Sequence, residues 1–511
     1  MRITNKIMQN NTLYNINNNK VLQDKLNTQL ATKKKVVKPS DDPVIAIRSL
    51  RLRSNLSQVS QYSEKNIPDA EHWLELTESA VSTTVDVVSD MIEQYQKGSK
   101  SSLTTSDREV FLQSLKQLRD EVYSTGDSDY AGRTIFTGYR TDTKLSFQAD
   151  TTQTYSIHEQ LTRNAIDSIT YVDYGELGVI NSKNFNDPAM TTEQDVNTYT
   201  VNRFRLAYDK LDAGTTPSIK QTIGYEDDGT PIYADLGVVT TMSETGDPDP
   251  YRVVADPKYG DYDPDAIIFV PETGELLLGE NAYGRLSGLE QDKEIVISYE
   301  KSDWEIGDLR PEHYYACESE GLEYNAAYLT EVGKSNKQVI SYDVGFNQDL
   351  QVNTTADEVY LHGVGRCVDE MIRLLEDMKE LDASVAEIEA LEGDAAYDQE
   401  EVKNALAAVK KAQTYYQDVV QKKFEHGITE MQGYLDTINV AYTTIGNRSL
   451  RLELVDNRLT SQKASFETLV SKNEDADLAE LAVQLSAAEL TYDAALAATG
   501  KLLQTSLMNY I

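Results

Sequence analysis

Little in this chain points to chemistry. It has two cysteines, Cys317 and Cys367, in segments of different character. No zinc pattern can be built from two cysteines, and a chain this long needs no disulfide to fold, so pairing between them stays open. The five histidines are scattered, and no proline follows Pro311, so nothing forces a break in the C-terminal part. No apolar run approaches the ~20 residues that span a bilayer. Met1 to Lys20 is Asn-rich and lacks the apolar stretch of a cleavable signal peptide, so export would need another route. Positive charge is scarce: 48 Lys and Arg against 84 Asp and Glu, a net charge of −36. Little is left to neutralise phosphates, so neither nucleic acid nor a membrane is an expected partner. The first 60 residues reverse the balance, with eleven basic and three acidic side chains.

Apparent metal motifs fail on their own spacing. Asp261, Asp263 and Asp265 alternate, and Glu272 stands twelfth in an EF-hand count, but the sixth position is Ala266 rather than Gly. Ile267 to Val270 then reads as a strand. His158-Glu159 is followed by Thr162 where a zinc protease has its second His. No phosphate loop or nucleophile motif stands out, so no catalytic, cofactor or metal residue is expected.

What the chain does have is a heptad. Phe424, Met431, Ile438, Ile445, Leu452, Leu459 and Phe466 follow one another every seven residues, with a weaker stripe through Tyr434, Ala441, Arg448, Val455, Gln462 and Leu469. That is the seam of a helix packed along another helix, over about 401–469 and roughly 100 Å long. Its partners must come from earlier in the chain. Asp42-Pro43 is a helix start, Trp73 to Ile92 an apolar helical face, and Ser106 with Glu109 a capping box before Phe111 to Val122. Pro68 marks a turn or kink. From about Leu145 to Val352 the period changes, and nine of the twelve prolines lie there. Gln221–Tyr225 and Ile232–Leu236 read as a hairpin; Ala266–Val270, Glu275–Leu278, Glu294–Tyr299, Gln338–Val344 and Gln348–Asn353 read as strands. Such an insert is expected to fold on its own. Thr355 with Glu358 is a second capping box, where helix resumes.

Both ends are amphipathic. Leu13, Ile16, Leu26 and Leu30 form an N-terminal stripe interrupted by asparagines, and Leu478, Leu481, Leu485, Tyr492, Leu496, Leu503 and Leu507 a C-terminal one. With no inner layer of their own, these helices are expected to lack cover within one chain and to pack between copies of it. Arg48, Arg51, Arg53 and Lys33 to Lys35 read as a solvated face or as a contact for an acidic neighbouring copy.

Several motifs in order resemble the flagellar hook-associated protein 3 family. They are Met1-Arg2-Ile3-Thr4; Pro39-Ser40-Asp41-Asp42-Pro43; Leu50-Arg51-Leu52-Arg53-Ser54; Trp73-Leu74 with Thr77 to Ala80; Ala131 to Tyr139; and the end, Asp477 to Glu480 through Ser506 to Ile511. The resemblance covers about 1–145 and 350–511. It implies a junction between hook and filament and export without cleavage. It also implies chain ends that order on assembly, and neighbouring hook-associated protein, flagellin and an export chaperone as partners. The expected fold is mainly α: a long antiparallel coiled-coil-like helical rod built from both chain ends, with an inserted β-rich domain. Its parts are an assembly helix over 1–42, rod over 43–145, insert over 146–353, rod over 354–472, and a second assembly helix over 473–511. Trp73 and the heptad from Phe424 to Phe466 are the expected rod core. The alternatives are filament flagellin and, from another class, a secreted enzyme or glycan-binding module housed in the insert.

Overall fold

The computed structural model describes residues 5–186, 196–291, 294–331 and 338–508. Met1 to Thr4 and Asn509 to Ile511, both part of the motif set, lie outside them, as do the side chains of Leu503 and Leu507. The chain is mainly α-helical, with long helices from both ends and a β-rich region between them. It divides into two compact units, one of 1–71, 342–350 and 450–511, the other of 72–341 and 351–449. Two helices contribute to both: α3 (Ile67–Gly98) and α9 (Gln399–Glu474).

The first unit holds α1 (Asn5–Thr32), α2 (Pro43–Gln61), the start of α3, the end of α9 and α10 (Leu478–Met508). Asp42 caps α2 as its sequence requires: its carboxylate accepts from the Val44 and Ile45 amides at 3.0 and 3.1 Å. The break expected at Pro68 is corrected. A π-turn at Tyr62–Asn66 joins α2 to α3, and Pro68 sits in the first turn of α3, where its missing N–H costs nothing. Most of the hairpin β14 (Ser341–Gly345) and β15 (Gln348–Gln351) also belongs here. Its Phe346 meets Tyr62 edge-on at 5.7 Å, and Asn66 donates to the Asp343 carbonyl at 2.8 Å. Val59, Ile67, Leu452, Val455 and Leu459 are buried, while Phe466 is half-buried and Leu469 exposed.

The second unit joins helices to two sheets. Its helices are most of α3, α4 (Thr105–Gly126), the short α5 (Pro250–Ala255), α6 (Glu280–Ser287) and α7 (Ala356–Val359), α8 (His362–Glu389) and the first part of α9. The cap of α4 lies two residues earlier than Ser106 and Glu109: Thr104 and Asp107 form the box, because Thr104 has the extended backbone a cap needs. At Thr355 no side-chain cap bond forms, and only the single turn α7 follows before α8. Trp73, Phe424, Met431, Ile438 and Ile445 are buried. Gly427 is required: a Cβ there would stand 2.5 Å from the Tyr95 ring, which meets Phe424 edge-on.

A small pair, β1 (Asp129–Tyr130) with β2 (Arg133–Thr134), opens the β region. One sheet has six strands in the order β13-β12-β3-β11-β6-β7, and the other has five in the order β4-β5-β10-β9-β8. The six are β13 (Leu322–Tyr324), β12 (Ala316–Ser319), β3 (Tyr155–Leu161), β11 (Ile295–Lys301), β6 (Ser218–Tyr225) and β7 (Pro231–Asp235). The five are β4 (Ile166–Asp173), β5 (Asn197–Arg205), β10 (Glu275–Leu278), β9 (Ile267–Val270) and β8 (Val239–Thr241). Among the described residues only β8 and β9 pair in parallel; β6 and β7 form the expected hairpin, with a bulge between Thr222 and Gly224. Ile157, Ile297 and Tyr299 of the larger sheet share one core with Phe204, Phe269 and Leu276 of the smaller, beside Trp304 stacked on Phe147 at 4.9 Å. The far face of the smaller sheet is covered by Tyr251, Val253 and Val254 of α5. Burial on both faces explains why β9 reads as an unbroken apolar run and β10 as one after Glu275, whose carboxylate pairs with Arg203.

The β region does not stand apart from the helices as a third unit. Arg203 and Arg205 of β5 reach into a buried ionic cluster. Arg203 pairs with Glu275 at 2.6 Å and with Glu370 of α8 at 2.7 Å. Arg205 pairs with Glu370 at 3.0 Å and with Glu430 of α9 at 2.9 Å, and Lys423 also reaches Glu370 at 2.8 Å. Burial alone would raise the Glu370 carboxyl, but Arg203, Lys423 and Arg205 hold it well below the usual range. Cys317 and Cys367 are both buried and free.

Candidate assembly surface at the chain ends

The two chain ends meet. α1 and α10 run antiparallel, with Leu26, Leu481 and Ala488 buried between them and Leu30, Leu485 and Ala476 packed alongside. The expectation that this stripe lacks cover within one chain is therefore corrected for Leu26, Leu30, Leu481 and Leu485. Each helix covers part of the other, because both stripes begin at the same turn. The cover is thin. Leu13, Leu478 and Leu496 are exposed, and Ile16 and Tyr492 half-buried. Further apolar side chains outside the predicted stripes also face outward, among them Tyr14, Val21, Val483 and Leu490, the last 74% exposed. Among the described residues, most exposed large apolar side chains belong to this first unit.

A polar latch fixes the turn where both helices begin or end. Lys34 and Asp475 form an antiparallel bridge; the Lys35 amide donates to the Glu474 carbonyl at 2.6 Å, and the Ala476 amide to the Lys33 carbonyl at 3.0 Å. Lys33 adopts a positive φ of 58°, which turns the chain out of α1. The buried Glu474 carboxylate is held by two of the Arg53 nitrogens, Nε at 2.6 Å and Nη2, by the Ser49 hydroxyl, and by Lys34 at 3.2 Å. Arg53 foremost, with Ser49 and Lys34, outweighs burial and holds this carboxyl at about 2. Sequence reasoning placed Arg53 and Lys34 on a basic stretch but missed Glu474, which lies 421 residues from Arg53. The single available signal is the acidic run Glu474-Asp475 ending the long helix.

In the second unit, the motif Ala131 to Tyr139 is a tight turn. Ala131, Gly132 and Gly138 have positive φ, while Ile135 and Phe136 are buried, with Phe136 edge-on to Tyr360 at 4.9 Å. The residues weighed for chemistry make hydrogen bonds and an ion pair within the second unit. Burial raises the Glu159 carboxyl to about 7, while the Ala207 amide at 3.0 Å and the Tyr299 hydroxyl at 2.8 Å donate to it. His158 contacts the Ser298 hydroxyl at 2.8 Å. Asp263 accepts from the Asp265 amide, and Asp265 pairs with Arg285. No group of three metal-ligating side chains occurs among the described residues.

Residues 3–141 match the bacterial flagellin N-terminal helical region. More narrowly, the chain resembles flagellar hook-associated protein 3. It is 30% identical to that protein of Salmonella typhimurium over 179 residues, 35% of this chain and 56% of the relative. With the Escherichia coli protein of the same name it shares 31% over 144 residues, 28% of this chain and 45% of the relative. The chain thus spans about half the length of the curated relatives it matches. A solved structure titled as the flagellar junction protein FlgL from Legionella pneumophila aligns over 83% of this chain and all of its own. Its identity is 12% and its TM-score 0.29.

Proposed function

We propose that this chain is a structural subunit of the bacterial flagellum that joins hook to filament by polymerising through the helices of its two ends. The observation that carries the reading is the α1–α10 pair. It buries one narrow stripe and leaves apolar side chains outward on both helices, in a chain whose relatives are hook-associated proteins by name. Such a surface is costly in water and is relieved when copies pack side by side. The subunit interface of this reading is Leu13, Ile16, Leu26, Leu30, Leu478, Leu481, Leu485, Tyr492, Leu496, Leu503 and Leu507, extended by the outward Val483 and Leu490. Residues 1–42 and 473–511 are its assembly segments, 43–145 and 354–472 its helical body, and 146–353 the insert. The partners are further copies, the neighbouring hook-associated protein, flagellin and an export chaperone. The protein acts outside the cell and is not an enzyme.

Antibody to the insert, applied to native flagella, tests this reading. Label confined to the hook–filament joint supports it. Label along the whole filament replaces it with filament flagellin, and label absent from flagella removes it.

A further inference from the structure

Helix α2 carries three arginines and no acidic residue, whereas α10 from Leu478 to Gly500 carries three acidic residues and no Lys or Arg. On α2, Val44, Ile47, Arg48 and Arg51 recur at helical spacing and are all exposed, Val44 by 68% and Ile47 by 55%. Arg53, on the opposite side, is engaged by Glu474, so Arg48 and Arg51 are the charges this helix offers outward. On α10, one flank beside the face packed on α1 presents Leu478, Ala482, Glu489, Asp493 and Leu496, again all exposed. Each stripe thus pairs apolar side chains with charge of one sign, and the signs are opposite.

We propose that the exposed α2 stripe of one copy docks on the exposed α10 stripe of another, with Arg48 and Arg51 facing Glu489 and Asp493. The proposal rests on the reading of the chain as a polymerising subunit and names the surfaces that meet. Opposite charge sets register and partner choice, and the apolar residues supply the buried area.

The test uses the full chain in light scattering and sedimentation, at low and high salt. Arg48→Glu with Arg51→Glu should weaken self-association at least tenfold, as should Glu489→Lys with Asp493→Lys. The quadruple variant, with charges exchanged, should recover most of the loss, which misfolding could not produce. Three results overturn the proposal: wild-type assembly by either double variant, no recovery in the quadruple variant with circular dichroism unchanged, or loss of binding to anionic vesicles with self-association intact. A wild-type chain that never self-associates brings down the underlying reading as well, and so separates the two failures.

Discussion

The two units bury their side chains differently. The second covers its smaller sheet on both faces and buries an ionic cluster whose Arg203 has no exposed surface to speak of. The first has a real core around Val59, Leu452 and Leu459, yet among the described residues α1 and α10 bury only Leu26, Leu481 and Ala488 between them, with Leu30, Leu485 and Ala476 packed alongside. A closed unit has solved its own burial problem. An open one has deferred it, and conformational entropy of about 1–2 kcal/mol per fixed residue makes so narrow a stripe a weak hold on two long helices. On the function proposed above, the remaining burial comes from other chains.

The closed unit breaks hardest at its charges. Glu370→Gln leaves Arg203, Arg205 and Lys423 short of a carboxylate in a buried place, and is expected to cost about 3–5 kcal/mol in urea unfolding. A loss below about 1 kcal/mol would mean the cluster is hydrated. Next is the inner core of the open unit. Leu452→Ala should cost on the order of 2–5 kcal/mol in thermal or urea unfolding, since that side chain is buried. An unchanged transition would remove the heptad as a core.

The latch should be worth less. Glu474→Gln is expected to lose about 1–3 kcal/mol at pH 7. Its carboxyl titrates at about 2 in the fold against an ordinary value of 4.5. A depressed carboxyl stabilises fully above its unfolded value and loses that contribution as pH falls. The gap between wild type and Glu474→Gln should therefore hold at pH 5 to 8 and shrink from about pH 4.5 to 2. A gap that grows on acidification contradicts the latch. Smallest for the single chain is Leu490→Asp, expected within about 0.5 kcal/mol because the site is exposed. The same change should nonetheless abolish joining of hook to filament; full motility would argue that this face meets nothing.

Sequence legibility followed the range of the interactions. The seven-residue rhythm predicts α9, Asp42-Pro43 predicts the start of α2, and the turn Glu226 to Pro231 predicts the β6–β7 hairpin, because each signal sits within a few residues. The α4 cap slipped by two residues, because Thr104 with Asp107 and Ser106 with Glu109 satisfy the same pattern and only backbone geometry decides. The π-turn before α3 has no sequence signature, and Pro68 suggested a break where it merely opens a helix. The ionic cluster and the latch were invisible, since their partners lie far apart in the chain, Arg203 from Glu370 by 167 residues. The exposed stripe was partly legible. Periodicity placed Leu13, Leu478 and Leu496 on it, but not the fact that Leu26 and Leu481 would cover one another.

Hydrogen exchange on the full chain, first as a verified monomer and then as the assembled polymer, tests the contrast between the units most directly. The account predicts that in the monomer α1 and α10 exchange nearly freely while α8 and the buried turns of α9 are strongly protected. On assembly, amides from Leu13 to Leu30 and from Leu478 to Leu496 should gain protection of several orders of magnitude, with α8 and α9 little changed. Protection at Leu485 and Leu496 in the monomer equal to that at Ile438 would contradict it, and so would terminal helices that stay unprotected in the polymer.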